Sequence, residues 1–326
     1  MATKKEKEAP SIEELLDSGL VMKGSDPRLI IRKLPTTIPG LDDLLGGGWP
    51  AGRYTQIYGP ESTGKTVLMQ YATASQQKDP NRPLCLILDF ERGYDPAWWQ
   101  ESGVNTEDLL VAQPMTGEEG IDVILAVIKA SDYSDENKLG LVGVDSIAMM
   151  MPKAMADPEK GAEQKFMGAH SALVAKFFAM ITPQMDDIVF ILNNQMRSNI
   201  GGYEELTTGG WAMRHNNHVT LRTRREGWLT EGNERIGFVM EVINKKNKVG
   251  GVQNDSLEIP FKFKGQIDMI QSYIDEAMEK KIIKTKGPYY YWGDEKTLGK
   301  GALRKMFMES PEAFEKLKEQ LSGDTE

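Results

Sequence analysis

The stretch Gly59-Pro60-Glu61-Ser62-Thr63-Gly64-Lys65-Thr66 constrains this chain more than any other feature. It fits the pattern G-x-x-x-x-G-K-[ST] in full. Before it lies a β-rich run, Arg53-Tyr54-Thr55-Gln56-Ile57-Tyr58, and after it a helical one, Val67-Leu68-Met69-Gln70-Tyr71-Ala72. In a strand–loop–helix setting the backbone N–H groups of such a loop point inward and cradle phosphate oxygens, with the positive end of the helix behind them. Lys65 then reaches the outer phosphates as a point charge, and the Thr66 hydroxyl takes a place on Mg2+. The ordinary alternative, a Gly-rich turn with a chance lysine, does not explain the flanking strand and helix. The pattern implies a nucleoside-triphosphate site.

From Arg53 onward apolar strands alternate with amphipathic helices. This order predicts a mostly parallel twisted sheet with helices on both faces. The expected strands are Tyr54–Tyr58, Leu84–Asp89, Leu109–Gln113, Leu139–Asp145 and Ile188–Asn193, and their near-continuous apolar character suits burial on both faces. Helices are expected from Gly64 to about Ser75, from Glu118 to about Ala130 and from about Met167 to Met180. Past Gly210 the pattern turns to the alternation of a hairpin, His218–Arg224 followed by Ile236–Val242, which reads as antiparallel strands extending the sheet. Near the N-terminus, Ser11 with Glu14 three residues on forms a capping-box signature for a short helix. Such a helix needs a surface to pack on, either its own domain or a neighbouring subunit.

Three strand ends carry candidate chemistry. Asp145 closes Leu141-Val142-Gly143-Val144, where it can hold a Mg2+-bound water beside the phosphate loop. Leu88-Asp89-Phe90-Glu91 closes another strand; Glu91 is placed to orient and activate a water as a general base, with Asp89 as its local competitor. Trp98 and Trp99 follow, available to an adenine ring or to the core. Asn193-Asn194-Gln195 ends a third strand with amides able to hydrogen-bond a γ-phosphate. The following stretch, Met196 to Gly210, is long for a loop in a compact domain and carries Arg197, Ile200 and Tyr203, a mixture suited to a nucleic-acid backbone and to insertion between bases. Lys245-Lys246-Asn247-Lys248 lies far from the phosphate loop in sequence and reaches phosphate only if the fold or a neighbouring subunit brings it there.

Composition sets limits. The net charge of −9 argues against a basic coat for nucleic acid but leaves room for a local channel. The single cysteine, Cys85, sits in an apolar run and excludes a disulfide framework, and three histidines not grouped with it argue against structural zinc. No apolar stretch approaches the length of a membrane span and no signal-peptide core is visible, so the expected place of work is the cytoplasm.

Taken together these residues resemble the RecA recombinase family. Tyr58-Gly59-Pro60-Glu61-Ser62-Thr63-Gly64-Lys65-Thr66 keeps the Pro-Glu-Ser that the general loop pattern does not require. The likeness continues through Asp89-Phe90-Glu91, Asp95-Pro96, Gln113-Pro114, Thr116-Gly117-Glu118, Val144-Asp145-Ser146, Pro152-Lys153-Ala154, Asn194-Gln195, Thr207-Thr208-Gly209-Gly210 and Lys246-Asn247-Lys248, in order and nearly in spacing from about Ile38 to Leu321.

The resemblance implies a RecA-type ATPase core with a small α+β C-terminal domain. The expected division is an N-terminal segment at 1–35, a core at 36–265 with DNA-binding loops at about 156–167 and 196–210, a C-terminal domain at 266–321 and a short tail at 322–326. It implies ATP and Mg2+ as ligands, with Thr66 and Asp145 at the metal and Asp95 and Trp98 at adenine. Glu91 matches the catalytic glutamate, Gln195 the γ-phosphate sensor, and Lys246 and Lys248 the pair that reaches ATP on the adjacent subunit. Met167 and Ile200 fall at base-wedging positions, and Arg197, Gly209, Gly210 and Arg214 at DNA-contacting ones. Single-stranded DNA, homologous double-stranded DNA and further copies of the chain in a helical filament are the implied partners, with strand exchange as the implied activity. A hexameric helicase or a DNA-independent ring ATPase on the same core is the competing expectation. The N-terminal segment and most loop positions diverge from the family, and its acidic tail is shortened here to Ser322-Gly323-Asp324-Thr325-Glu326.

Overall fold

A computed structural model describes residues 10–134, 137–156, 168–197, 206–263 and 266–323, with backbone alone at 197 and 206. The elements that matter for the site are α1 (Ile12–Asp17), β1 (Arg53–Gly59), α2 (Lys65–Gln76), β2 (Leu84–Asp89), α3 (Pro96–Glu101), β3 (Leu109–Ala112), α4 (Gly117–Asp132), β4 (Leu139–Asp145), α5 (Ala169–Ile181), β5 (Val189–Arg197), α6 (Gly210–Asn216), β6 (Val219–Glu231), β7 (Glu234–Asn247), β8 (Ser256–Lys262) and β9 (Gln266–Ile267). They build one sheet in the order β9-β8-β7-β6-β1-β5-β4-β2-β3, and the two-residue strand Leu206–Thr207 pairs with the end of β5. From β6 to β3 every pairing is parallel; β6 to β9 pair antiparallel. The hairpin expected at 218–242 is therefore present and longer than its alternation suggested. Strands β8 and β9 extend the sheet beyond the sequence reading.

Successive residues of the central strands feed opposite faces, as the pleat requires. Ile87, Leu141 and Ile191 point to one core with Leu68, Met69 and Ala72 of α2. Their neighbours Leu86, Leu88, Val142, Val144, Phe190 and Leu192 join Ile121 and Ile124 of α4 and Phe177 and Phe178 of α5 in the other. Helix α4 shows why its stretch is helical. Thr116 caps it by accepting from Glu119 N, Glu118 and Glu119 complement its positive end, and Ile121, Ile124 and Ile128 form its buried stripe. Cys85 is buried in the first core.

The capping box at Ser11 and Glu14 is formed, yet α1 buries no residue, and Ile12, Leu20 and Ile30 are all exposed. Leu15 and Leu16 are only half-buried among the described residues. At the other end, α7 (Met269–Glu279), an antiparallel sheet of β10 (Lys284–Lys286), β11 (Tyr289–Trp292) and β12 (Glu295–Leu298), then α8 (Lys300–Glu309) and α9 (Pro311–Ser322) surround a third core. The aromatic run Tyr289–Trp292 splits: Trp292 packs edge-on against Phe307 in that core, while Tyr289 is exposed beneath the Lys296 ammonium. Asp268 ties this unit to the sheet through Lys262 (3.1 Å) and Arg304 (2.8 Å), and Lys280 reaches Asp43 (3.1 Å). Among the described residues no helix is long and apolar enough to cross a membrane.

Candidate nucleotide site and its adjoining surface

The phosphate loop springs from the end of β1, and strand register decides what stands beside it. Gly59 is in register with Gln195 of β5, and Tyr58 with both Asn194 and Arg222. One strand further out, Asp89 and Asp145 are in register across β2 and β4. The three strand ends picked out in the sequence therefore meet at one edge of the sheet, which is where open parallel sheets place their ligands.

The loop is tightly built. A Cβ at Gly59 would collide with the Thr223 carbonyl, and Gly64 combines φ +91° with a close approach to the Met240 sulfur, so neither position admits a side chain. Thr63 Oγ1 and Thr223 Oγ1 are 2.7 Å apart, binding the loop to β6. Lys65 Nζ donates to the Gly59 (3.2 Å) and Pro60 (2.7 Å) carbonyls, which places the ammonium inside the curl of the loop. Burial pushes the Lys65 pKa down, while the Asp145, Glu91 and Glu61 charges push it back up.

Across the cavity, Thr66 Oγ1 donates to Asp145 Oδ2 at 2.8 Å. Burial raises the Asp145 carboxyl to about 6, against the lowering effect of that hydrogen bond. A buried carboxylate resisting ionisation next to a hydroxyl is a place where a cation would restore the charged form. Among the described residues no group of three or more His, Cys, Asp or Glu side chains could hold a metal alone. That donor set suits Mg2+, which keeps waters and phosphate oxygens in its shell rather than a protein cage.

Glu91 and Asp89 part company in the structure. Asp89 is buried, and its two oxygens accept from Gly93 N (3.1 Å), Tyr94 N (3.0 Å) and Gln113 Nε2 (2.9 Å), so it organises the loop after β2. Glu91 faces the cavity and accepts from Ser146 Oγ (2.5 Å) and Gln195 Nε2 (3.0 Å). Asp95 caps α3 by accepting from Ala97 N. The adjacent tryptophans also divide: Trp99 enters the core against Tyr94, and Trp98 stays at the cavity wall. The cavity is about 560 Å³ and is lined by the loop residues 61–67, Glu91, Trp98, Asp145 and Gln195.

Its remaining wall was not found in the sequence. Arg225, Phe238, Phe261 and Phe263 come from the antiparallel half of the sheet. Register carries them there: Met240 pairs with Arg225, and Phe238 with Phe261. The signal available was the Leu257-Glu258-Ile259-Pro260-Phe261 alternation, which marks β8 but not its neighbour.

A second set of groups leads away from the cavity. Asn194 Nδ2 donates to the Thr208 carbonyl at 2.8 Å, joining the strand that carries Gln195 to the turn before α6. Gly209 (φ +98°) and Gly210 (φ +60°) make that turn in the left-handed region. Lys246 Nζ donates to the Arg214 carbonyl at 2.6 Å, near the C-terminal end of α6. Neither Lys246 nor Lys248 lines the phosphate cavity of its own chain; Lys246 lines a separate cleft with Gln56, Tyr58, Thr207, Arg214 and Thr220. Arg197 ends β5, its backbone paired with Leu206. Met167, Ile200 and most of both expected DNA loops, at 157–167 and 198–205, lie outside the described residues.

Residues 6–267 match the family model for the RecA N-terminal domain. The protein RecA of Leptospira meyeri is 33% identical over 322 residues, which cover 95% of this chain and 80% of that one. The protein RecA of Chloroflexus aurantiacus is 34% identical over 298 residues, covering 89% and 82%. The protein RecA of Cereibacter sphaeroides is 31% identical over 323 residues, covering 97% and 89%. The relationship carries general properties with it: nucleotide binding with a divalent metal, ATP hydrolysis that depends on DNA, DNA binding and oligomerisation. The chain is a member of the RecA recombinase family.

Proposed function

We propose that this protein is an ATP-dependent DNA strand-exchange protein that assembles as a helical filament on single-stranded DNA and pairs it with homologous duplex. The observation that carries this reading is the continuous path from cavity to turn. Gln195 touches Glu91 at 3.0 Å, and its neighbour Asn194 holds Thr208 at 2.8 Å, at the foot of the second expected DNA loop. A group that senses the γ-phosphate through Gln195 is thereby one residue away from the backbone that presents DNA contacts.

The chain's residues divide the work as follows. Lys65 and the loop amides hold the phosphates, with Asp95 and Trp98 toward the base. Glu91, oriented by Ser146, takes the proton of the attacking water. Mg2+, held through Thr66 and by way of water Asp145, would draw charge from the phosphate oxygens. Gln195, released from Glu91 toward the γ-phosphate, would pull on β5 and so on Thr208. Lys246 and Lys248 neutralise developing charge on the adjacent subunit's nucleotide, which agrees with neither of them lining the phosphate cavity of its own chain. Arg197, Gly209, Gly210 and Arg214, with Met167 and Ile200, contact the DNA.

Lys248→Ala is expected to abolish DNA-stimulated turnover while nucleotide titration of the unassembled chain stays within about threefold of wild type, since trans charge stabilisation is worth roughly a thousandfold or more in related phosphoryl transfers. Loss of binding by the unassembled chain would instead put Lys248 in its own site. Filaments on single-stranded DNA with a slow ATP analogue, seen by electron microscopy, test the assembly; closed rings that unwind duplex would favour the helicase reading.

A further inference from the structure

Helix α6 begins within the Gly209-Gly210 turn, at Gly210, and its first exposed side chain is Trp211, whose surface is 71% accessible. So large an indole left in water is unusual, and the helix that bears it is not loose. Met213 is buried in the second core, a Cβ at Gly209 would collide with the Met213 side chain, and Lys246 caps the Arg214 carbonyl. Trp211 is itself held from its own helix. The His215 ring lies nearly parallel to it (17°, 5.4 Å between centroids), and the Arg214 guanidinium sits 5.7 Å from its centroid. These are the neighbours expected at i+4 and i+3.

We propose that Trp211 is a base-stacking contact for single-stranded DNA, with Arg214 supplying charge to the adjoining phosphate. The inference rests on the DNA-binding reading above and adds to it a residue and a mode of contact. Three observations favour a nucleic-acid strand over another occupant. The ladder puts a cation and a π-face side by side, the pair of features that every nucleotide of a single strand presents in complement. The short strand Leu206–Thr207, paired with the end of β5 that carries Gln195, stands just before Trp211, so the indole lies close in the chain to the edge of the nucleotide site. The stacked His215 fixes the indole in advance, so little side-chain freedom remains to be lost on binding.

The test compares a thymine homopolymer with an abasic homopolymer of the same length. Both are labelled and read by fluorescence anisotropy with the full chain, Mg2+ and a slow ATP analogue. Wild type is expected to prefer the polymer that has bases. Trp211→Ala should weaken binding to the thymine polymer by about tenfold, about 1.4 kcal/mol and within the range of one base–aromatic stack. It should leave the abasic polymer unchanged, so the preference disappears; Trp211→Phe should keep most of it. Equal weakening of both polymers, or no weakening of either, overturns the proposal. So does a loss of DNA-free self-association in Trp211→Ala by sedimentation, which would make the indole a contact between copies of the chain. Wild-type protein that binds neither polymer would remove the DNA reading itself, an outcome separate from any effect of Trp211.

Discussion

Glu91→Gln is expected to bind ATP and assemble on DNA as wild type does while hydrolysing ATP about a hundredfold to ten-thousandfold more slowly, the usual contribution of a general base. The reasons are local. The glutamine carbonyl can still accept from Ser146 Oγ and Gln195 Nε2, the two donors that Glu91 now holds, so the wall of the cavity keeps its shape. What the amide lacks is a place for the proton of the attacking water. Single-turnover hydrolysis measured beside nucleotide titration separates these effects. Normal turnover would show that Glu91 is not the base. Asp89 would be a poor replacement, because both of its oxygens are already taken by Gly93, Tyr94 and Gln113.

Lys65→Ala is expected to fail one step earlier, at binding. The ammonium sits inside the loop, donating to two main-chain carbonyls, in a half-buried setting that favours exchange of those carbonyls for phosphate oxygens. Two hydrogen bonds to charged oxygens, at about 1.5–3 kcal/mol each, put the loss near a thousandfold in ATP affinity, or about 4 kcal/mol. Titration of the unassembled chain with a fluorescent ATP analogue reads this directly. Retention of affinity within about threefold would mean that the loop amides bind the nucleotide without the lysine.

The parallel half of the molecule was legible because its physics is local. Strands buried on both faces read as apolar runs, and the polar residue that ends each run, Asp145, Glu91 or Gln195, lies at the sheet edge by construction. The choice between Glu91 and Asp89 was not legible, since it depends on where the following loop folds its amides. Nor was the fate of the tryptophan pair, because a helix of 6 residues, less than two turns, can bury either side chain. Arg225, Phe238, Phe261 and Phe263 stayed hidden for a different reason. They reach the cavity through the register of antiparallel strands more than 150 residues from the loop, and no local pattern encodes that register. The N-terminal helix shows the converse: its capping box is plain in the sequence, while no local pattern says what its apolar side chains meet, and Ile12 stays exposed among the described residues.

Steady-state ATP hydrolysis by the full chain with Mg2+, with and without single-stranded DNA across a salt series, tests strand exchange driven by a DNA-coupled ATPase most directly. Turnover is expected to rise strongly with DNA and the stimulation to fade as salt increases, since phosphate contacts from arginine and lysine release counterions on binding. Turnover that is the same with and without DNA at every salt concentration would contradict it, leaving an ATPase whose cavity is not coupled to the Gln195–Asn194–Thr208 path.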